Sequence, residues 1–202
     1  MCKKCKNIEF GFTSEKFPAG THMCLIYSNE EERAAVVSKF IDSGIKGKEK
    51  VAYFAHKMDK NEMDKWLESK GVFISETDVE VIKAKEIYYP DGEFIPGTML
   101  DTLQQLYDSS KKEGYSAVRV CGEMVWALDN IPGSERLMEY EAKINQLMES
   151  HPVTALCQYD ANKFDGATLL NCLKVHPYTI VNKQIVKNPY YLSPEEFLAE
   201  KK

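Results

Sequence analysis

From about residue 20 onward, the spacing of apolar residues switches repeatedly between the pattern of a strand and that of a helix. Short β-rich runs alternate with segments whose apolar residues recur at helical spacing. The predicted strands are 21–27, 51–55, 79–83, 117–121 and 153–159, and the predicted helices are 28–44, 59–70, 98–113, 134–150 and 167–174. Because a crossover helix returns the chain to the same end of a sheet, this order predicts an α/β fold with helices on both faces of a mostly parallel sheet.

Turn and cap residues refine these boundaries. Gly44 is expected to end the first helix, and the proline- and glycine-rich stretch 87–97 is expected to form a long ordered loop or a small hairpin. Asn182 and Lys183 separate two short β-rich runs near the C-terminus, a spacing typical of a β-hairpin. Ser193 followed by proline predicts the start of a last helix.

The composition narrows the class of protein. The 202 residues include 26 Lys and Arg against 31 Asp and Glu, a formal charge of -5. Nucleic-acid binding is not expected, since it needs clustered basic residues, and no apolar run reaches the roughly 20 residues that span a bilayer. Without a visible secretory signal, the protein is expected in the cytoplasm with reduced cysteines. We expect a short N-terminal segment, 1–16, and one domain, 17–202.

Ligands of a parallel sheet gather beyond the carboxyl ends of its strands. The first turn at that edge runs from Tyr27 to Arg33 and contains neither glycine nor lysine. A phosphate-binding turn needs glycine amides and usually a lysine, and Glu30–Glu32 would repel phosphate at the positive end of the helix. ATP is therefore not an expected cofactor.

Several separated motifs occur in a fixed order. They are His22-x-Cys24-x-x-Tyr27, Arg119-x-x-Gly122-Glu123-Met124-x-Trp126, Tyr140-Glu141, Cys157-x-Tyr159-Asp160 and His176-Pro177. Together they resemble the MEDS domain, the sensory domain named after methanogens, methylotrophs and the regulator of dichloromethane dehalogenase. The resemblance runs from about Phe17 to about Leu192.

The resemblance implies a RecA-like three-layer sandwich, related to the circadian-clock ATPases but without their phosphate-binding loop. It also implies a non-catalytic sensory role, with a small, largely apolar ligand of the hydrocarbon-derivative class. The sequence itself shows no catalytic motif. Such domains are usually joined to a DNA-binding or histidine-kinase module, and none is visible here. The signal is therefore expected to pass to a separate partner, a kinase or a transcription regulator, and self-association is compatible with a RecA-like fold.

Two charged residues of the second motif are candidates for the site. Arg119 lies within a predicted buried strand, and Glu123 follows the end of that strand. A buried charge is costly unless it is paired, so Arg119 is expected to meet Glu123 or another carboxylate such as Glu141. A structural ion network and a role in orienting a ligand both agree with this pairing.

Aromatic residues near the strand ends are the next candidates. Tyr27, Trp126 and Tyr159 would wall a mostly apolar pocket and present a polar tip on each ring. Ser28 and His176 are the polar ligand-binding candidates beside them. Each aromatic residue taken alone is more typical of a core, and a histidine at a helix end also suits the helix dipole.

The N-terminal Cys-x-x-Cys pair offers a different kind of site. Cys2 and Cys5 have the spacing of zinc or iron–sulfur ligands, but they fill only half of a four-ligand site. His22 and Cys24, or the same pair of a second subunit, would complete it. Metal sensing or redox sensing at these thiols is therefore one alternative function, and a degenerate nucleotide-binding protein is another.

Overall fold

The computed structural model describes residues 6–75 and 78–200. The strands are β1 (Asn7–Glu9), β2 (Lys16–Pro18), β3 (His22–Tyr27), β4 (Lys50–Ala55), β5 (Glu80–Lys83), β6 (Val118–Glu123), β7 (Val153–Asp160), β8 (Tyr178–Val181) and β9 (Gln184–Lys187). The helices are α1 (Glu30–Lys46), α2 (Lys60–Ser69), α3 (Ala84–Ile87), α4 (Pro96–Lys112), α5 (Leu137–Ser150), α6 (Gly166–Val175) and α7 (Pro194–Ala199). In this part of the chain, no helix combines the length and the apolar character needed to cross a membrane.

Within these residues, seven strands form one sheet in the order β5-β4-β6-β7-β3-β8-β9. All neighbours are parallel except β8 and β9. Cys24 of β3 lies opposite Cys157 of β7, so equivalent side chains of the two central strands share a face. The predicted mostly parallel α/β sheet is confirmed.

The terminal hairpin is also confirmed. β8 and β9 pair antiparallel around Asn182 and Lys183, and both of these residues have positive φ, 49° and 62°. This is the backbone of the two-residue turn that matches the twist of adjacent strands, and asparagine tolerates it better than most residues.

Apolar side chains alternate between the two faces of the sheet and form a core layer on each. One layer, which we call the α1 face, includes Val37 and Phe40 of α1 with Leu67 of α2. The other layer, the α5 face, includes Ile144 of α5 and Val175 of α6. Helices thus cover both faces, which gives the expected three-layer sandwich.

A small antiparallel pair, β1 and β2, adds to the α1 face. Phe10, which follows β1, is fully buried and packs against Phe17 and Phe40, with ring centroids 5.5 and 5.6 Å away. The sequence analysis did not predict these strands, because three-residue strands are too short to show an alternating pattern.

Gly44 does not end α1, contrary to prediction, because the helix continues to Lys46 with Gly47 as its cap. A Cβ at position 44 would lie 2.6 Å from Cδ of Arg119 and 2.8 Å from Cγ2 of Val51. Gly44 therefore makes room for the arginine side chain that crosses the helix at this point.

The stretch 87–97 contains the end of α3 and the start of α4, joined by irregular chain. Of the two predicted forms, this is the ordered loop and not the hairpin. One further helix start differs from prediction. The helix expected over 134–150 begins as a 3-10 turn, Ser134–Arg136, before α5. Gly133 precedes that turn with φ of 84°, and a Cβ there would meet the carbonyl of Phe94.

Candidate functional site

At their carboxyl ends, the strands of two neighbouring pairs, β3 with β7 and β4 with β6, continue to opposite faces of the sheet. β3 and β4 continue into α1 and α2 on the α1 face, whereas β6 and β7 lead to α5 and α6 on the α5 face. β3 lies beside β7, and β4 lies beside β6. Connections that diverge in this way leave a crevice, which is where open α/β sheets bind their ligands.

A cleft of about 380 Å³ occupies this crevice. We call it the polar cleft, and its lining residues are Tyr27, Ser28, Asn29, Glu30, Arg33, His56, Glu123, Val125, Asp160, Asn162 and Lys163. Three of the predicted site residues, Tyr27, Ser28 and Glu123, are therefore brought together here.

Glu123 is held at the end of β6 by two hydrogen bonds. The hydroxyl of Tyr53 donates to Oε1 over 2.6 Å, and the backbone N–H of His56 donates to Oε2 over 2.8 Å. The Glu123 side chain remains 18% exposed. A carboxylate oxygen can accept more than one hydrogen bond, so Glu123 can still accept a donor from the cleft.

Arg33 reaches from α1 into the same site. Its guanidinium donates to both carboxylate oxygens of Glu30, over 2.7 and 2.8 Å, and to the hydroxyl of Tyr53 over 3.0 Å. Nη1 also lies 3.6 Å from Oε1 of Glu123, and the ring of Trp66 lies beneath the guanidinium. Arg33 therefore links the start of α1 to the carboxylate at the end of β6.

Tyr27 ends β3 at the rim of the cleft and is half-buried. Burial, the largest influence, raises the pKa of its hydroxyl to about 12. Tyr27 is therefore neutral at physiological pH and can offer its hydroxyl both as donor and as acceptor.

The N-terminus of α1 is capped by its own residues. The side chain of Asn29 accepts from the backbone N–H of Glu32 over 2.9 Å, and Glu32 accepts from the backbone N–H of Ser28 over 3.1 Å. Two of the amides that would hold a phosphate are thus already bonded to side chains. A phosphate at this turn would therefore have to displace both bonds.

A second set of polar side chains lies inside the protein, on the α5 face. We call it the buried cluster, and its members are His22, Glu141, Cys157, Tyr159 and His176. Glu141 of α5 is at its centre. Its Oε1 accepts from the hydroxyl of Tyr159 over 2.7 Å, and its Oε2 lies 3.1 Å from Nε2 of His22 and 3.5 Å from Nε2 of His176.

In the buried cluster, the Glu141 carboxylate and the His176 imidazole each favour the charged form of the other. Burial alone would raise the pKa of Glu141, but His176 and His22 outweigh it and hold that pKa well below its usual range. Burial likewise opposes the charged form of His176, yet Cys24 and Glu141 raise its pKa to about 9. Burial dominates at His22 and lowers its pKa.

Two further thiols adjoin the cluster. Cys172 Sγ lies 3.5 Å from Nδ1 of His176, and Cys24 Sγ lies 3.8 Å from the carbonyl oxygen of Tyr178. The hydrogen bond with Cys172 is the largest influence on Cys24 and lowers its pKa to about 6. His22 and Cys24, which were candidates to complete a site with Cys2 and Cys5, therefore face the α5 core, and Cys2 and Cys5 lie outside the described residues.

Arg119 does not pair with Glu123 or Glu141. Its Nε donates to Glu49 over 2.8 Å, and its Nη2 donates to the carbonyl of Glu9 over 3.0 Å. Arg119 is the second residue of β6, so it lies near the amino edge of the sheet and on the α1 face. Its side chain is fully buried, and the pairing is the structural ion network that was one of the two interpretations.

Trp126 and Tyr159 do not wall the polar cleft with Tyr27. Both are fully buried in the α5 core. Trp126 lies in a 3-10 turn, Met124–Leu128, and stacks on Tyr88 with ring centroids 4.7 Å apart. A residue at a strand end points to one face or the other according to its register, and strand position alone does not reveal which.

The sequence analysis missed several residues of both sites. Arg33 was treated only as the end of the first turn, and His56 was not among the candidates. A signal did exist for Glu141, because it follows Leu137 by one helical turn and precedes Ile144 by three residues. That spacing puts Glu141 on the apolar side of α5.

The mostly parallel sheet with helices on both faces gives this chain a RecA-like α/β fold. A KaiC-like protein from Pyrococcus horikoshii OT3 matches 88% of this chain and 81% of its own, with a TM-score of 0.64 and 13% identity. The flagellar accessory protein FlaH from Methanocaldococcus jannaschii matches 90% of this chain and 84% of its own, with a TM-score of 0.58 and 11% identity. At such low identity these likenesses establish the fold alone.

The sequence gives the family within that class. The model of the MEDS domain, the "MEthanogen/methylotroph, DcmR Sensory domain", matches residues 21–177, and the chain belongs to this family. The transcriptional repressor DcmR of Methylorubrum extorquens, strain DM4, is 30% identical over 101 residues. That match covers 50% of this chain and 38% of the repressor, so the chain spans well under half of the repressor's length. A sensory or regulatory role is thereby supported.

Proposed function

We propose that this chain is a non-catalytic sensor that binds a small organic molecule in the polar cleft and controls a regulatory output. The observation that carries the proposal is the position of the cleft. It lies where the connections after β3, β4, β6 and β7 diverge, and residues that follow all four strands line it.

The lining indicates the kind of ligand. Tyr27 and Val125 are the members of the lining with an aromatic or aliphatic side chain, whereas Glu30, Glu123 and Asp160 offer carboxylates and Arg33 and Lys163 offer cations. The favoured ligand is therefore more polar than a largely apolar molecule. It is a short hydrocarbon chain with a hydrogen-bond donor, such as an alcohol or an amine. A volume of about 380 Å³ lies at the small end of ligand sites.

Glu123 is the residue we expect to receive the donor of the ligand. It has free lone pairs, and it is already oriented by Tyr53 and His56. A ligand on Glu123 changes the balance of contacts that Arg33 makes with Glu30 and Glu123. Since Arg33 belongs to α1, binding at the sheet edge can shift the position of that helix.

The output is proposed from the relative. DcmR is a transcriptional repressor, and this chain matches 38% of it. We therefore propose that the sensory domain acts on a transcription regulator or a kinase. Changes in α1 on ligand binding would alter its contacts with that output.

The proposal is tested by amide NMR titration of the full ¹⁵N-labelled chain. The probes are methanol to butanol, methylamine to butylamine, and acetate, with magnesium ATP as a separate probe. The variants are Glu123→Gln and, as a matched control, Glu113→Gln, which makes the same change at an exposed position just after α4.

The expected result is a saturable shift for at least one alcohol or amine at the amides of Tyr27, Ser28 and His56. Acetate should be weaker, because the carboxylates of Glu30, Glu123 and Asp160 outnumber the cations of Arg33 and Lys163 in the cleft. Glu123→Gln should lower the affinity about tenfold, the loss expected for a hydrogen bond to a charged group, and Glu113→Gln should not. Saturation by magnesium ATP alone, or no saturable shift with any alcohol or amine, would overturn the proposal.

A further inference from the structure

The buried cluster brings four potential metal ligands to one point. The ligand atoms of His22, Glu141, Cys157 and His176 lie within 4.8 Å of one another, and all four side chains are buried. We propose that these side chains bind a divalent transition-metal ion, Zn²⁺ being the best match, in a closed tetrahedral site. This proposal is independent of ligand binding in the polar cleft.

Four of the six separations between the ligand atoms lie close to the edges of a tetrahedron, one of them slightly short, and all six are within 4.8 Å. Oε2 of Glu141 lies 3.1 Å from Nε2 of His22 and 3.5 Å from Nε2 of His176. Sγ of Cys157 lies 3.5 Å from both His22 Nε2 and Glu141 Oε2. Zinc bonds of about 2.0–2.2 Å to nitrogen or oxygen and about 2.3 Å to sulfur require ligand separations of roughly 3.3–3.6 Å in a tetrahedron.

The second imidazole nitrogen of each histidine is already fixed by an acceptor. Asn145 Nδ2 donates to the carbonyl of Val175 over 2.8 Å, which turns its Oδ1 towards Nδ1 of His22, 3.1 Å away. Nδ1 of His176 lies 2.7 Å from the carbonyl oxygen of Cys172. Both Nδ1 atoms therefore carry the proton, and both Nε2 atoms point to the centre of the cluster, as in metal-binding histidines with an outer-shell acceptor.

His176 adds an observation that hydrogen bonding alone does not explain. Its Nε2 is buried and makes no hydrogen bond to the residues that the structure describes, although Glu141 lies 3.5 Å away. Buried polar atoms almost always have a partner. A metal ion at the centre would satisfy this nitrogen together with that of His22.

Charge balance also favours a divalent cation. The carboxylate of Glu141 and the thiolate of Cys157 carry two negative charges between them, so that a divalent ion gives a neutral site. Neutrality avoids the cost of burying a net charge. As the bonds to the metal form, the Cys157 thiol gives its proton to solvent, as does Nε2 of His176 when it is protonated, with no change in oxidation state.

Cys24, Cys172 and His176 also lie close enough to form a ligand set. In that set His176 would have to use Nδ1, which is occupied by the proton shared with the Cys172 carbonyl. The Nε2 side is therefore the proposed one. A surface cleft of about 420 Å³ is lined by His22 and Asn145 and gives the ion a route from solvent.

The test is the metal content and spectrum of the full chain. Protein purified without chelator is analysed for zinc by inductively coupled plasma mass spectrometry. Its metal is then removed with a chelator, and the metal-free protein is titrated with Zn²⁺ or Co²⁺. The variants are Cys157→Ser and His22→Gln at the site. The controls are Cys121→Ser, a buried cysteine on the α1 face of the same sheet, and the double variant Cys2→Ser/Cys5→Ser.

The expected result is about one equivalent of zinc per chain. Bound Co²⁺ should show the visible bands of a tetrahedral site and thiolate-to-cobalt charge transfer. Cys157→Ser should abolish the charge-transfer band, and either site variant should weaken binding at least about 100-fold. Both controls should retain the spectrum.

Three results would overturn the proposal. The first is wild-type protein that neither contains zinc nor takes up Zn²⁺ or Co²⁺. The second is loss of the metal in Cys2→Ser/Cys5→Ser with retention in Cys157→Ser, which would place it on the N-terminal pair. The third is a folded His22→Gln variant, judged by circular dichroism, with unchanged affinity.

Discussion

Glu123 at the end of β6 and Glu141 on α5 are two carboxylates that contact the same sheet from opposite faces and differ in their access to water. Each accepts a hydrogen bond from a tyrosine hydroxyl of an inner strand of the sheet, Tyr53 on the α1 face and Tyr159 on the α5 face. Glu123 opens into the polar cleft with 18% exposure, whereas Glu141 is fully buried.

Burial is what separates the roles of the two carboxylates. Water can replace a lost partner of Glu123, so its partners are free to exchange with a ligand. A lost partner of Glu141 leaves an uncompensated charge in a medium of low dielectric, which is far more costly. An exchangeable ligand therefore suits the polar cleft, and a permanently bound partner suits the buried cluster.

Glu141→Gln should give the largest loss of stability. Removal of the acidic partner of a buried pair typically costs about 3–5 kcal/mol, because His176 must then lose its proton or remain charged without a partner. Urea unfolding of metal-free protein measures this change. A loss below about 1 kcal/mol would show that Glu141 is not the centre of the cluster.

A matched pair of tyrosine variants sharpens the comparison. Tyr159→Phe removes the hydrogen bond to the buried carboxylate and should cost about 1.5–3 kcal/mol. Tyr53→Phe removes the same kind of bond from Glu123, and it also removes an acceptor from Arg33 and Gln158. Water reaches Glu123, Arg33 keeps Glu30 and Gln158 keeps Cys121, so the cost should be about 1 kcal/mol. Equal losses in the two variants, measured by urea unfolding, would contradict the difference in access.

Glu123→Gln should affect binding more than stability. The amide can still accept from Tyr53, so the free energy of unfolding should fall by no more than about 1 kcal/mol. Ligand affinity, in contrast, should fall about tenfold. The opposite pattern, with a large loss of stability and unchanged affinity, would make Glu123 a purely structural residue.

The smallest effect is expected from Tyr27→Phe, and it depends on pH. Because burial raises the pKa of Tyr27 from 10.0 to about 12 in the folded chain, the folded state holds this proton more tightly than the unfolded state. The stability that this difference in proton binding contributes to the folded state is complete below pH 10 and is lost as pH rises towards 12. Tyr27→Phe should thus leave stability at neutral pH within about 0.5 kcal/mol and make its decline above pH 10 less steep. An identical alkaline decline in both proteins would contradict the burial of this hydroxyl.

Local patterns in the sequence predicted much of the architecture. The strand–helix alternation and the Asn182–Lys183 turn were sufficient for the parallel sheet and its hairpin. The polar cleft was partly predictable, because the carboxyl ends of parallel strands meet at one edge and Tyr27, Ser28 and Glu123 follow from that rule.

The buried cluster and the partner of Arg119 were not predictable in the same way. Both depend on which helix crosses which strand, as when Glu141 of α5 meets His22 and Cys157, 119 and 16 residues away in sequence. Gly44 shows the same limit. Its role is to leave space for Arg119, 75 residues further along the chain, and no local rule distinguishes this from a helix stop.

Native mass spectrometry of the full chain, compared with its denatured mass, tests the division between the two sites most directly. The account predicts that wild-type protein purified without chelator carries an excess mass of about one zinc ion, which disappears on denaturation. Glu123→Gln should keep this excess and Cys157→Ser should lose it. An excess that is absent from the wild type, or that is lost in Glu123→Gln and kept in Cys157→Ser, would contradict the account.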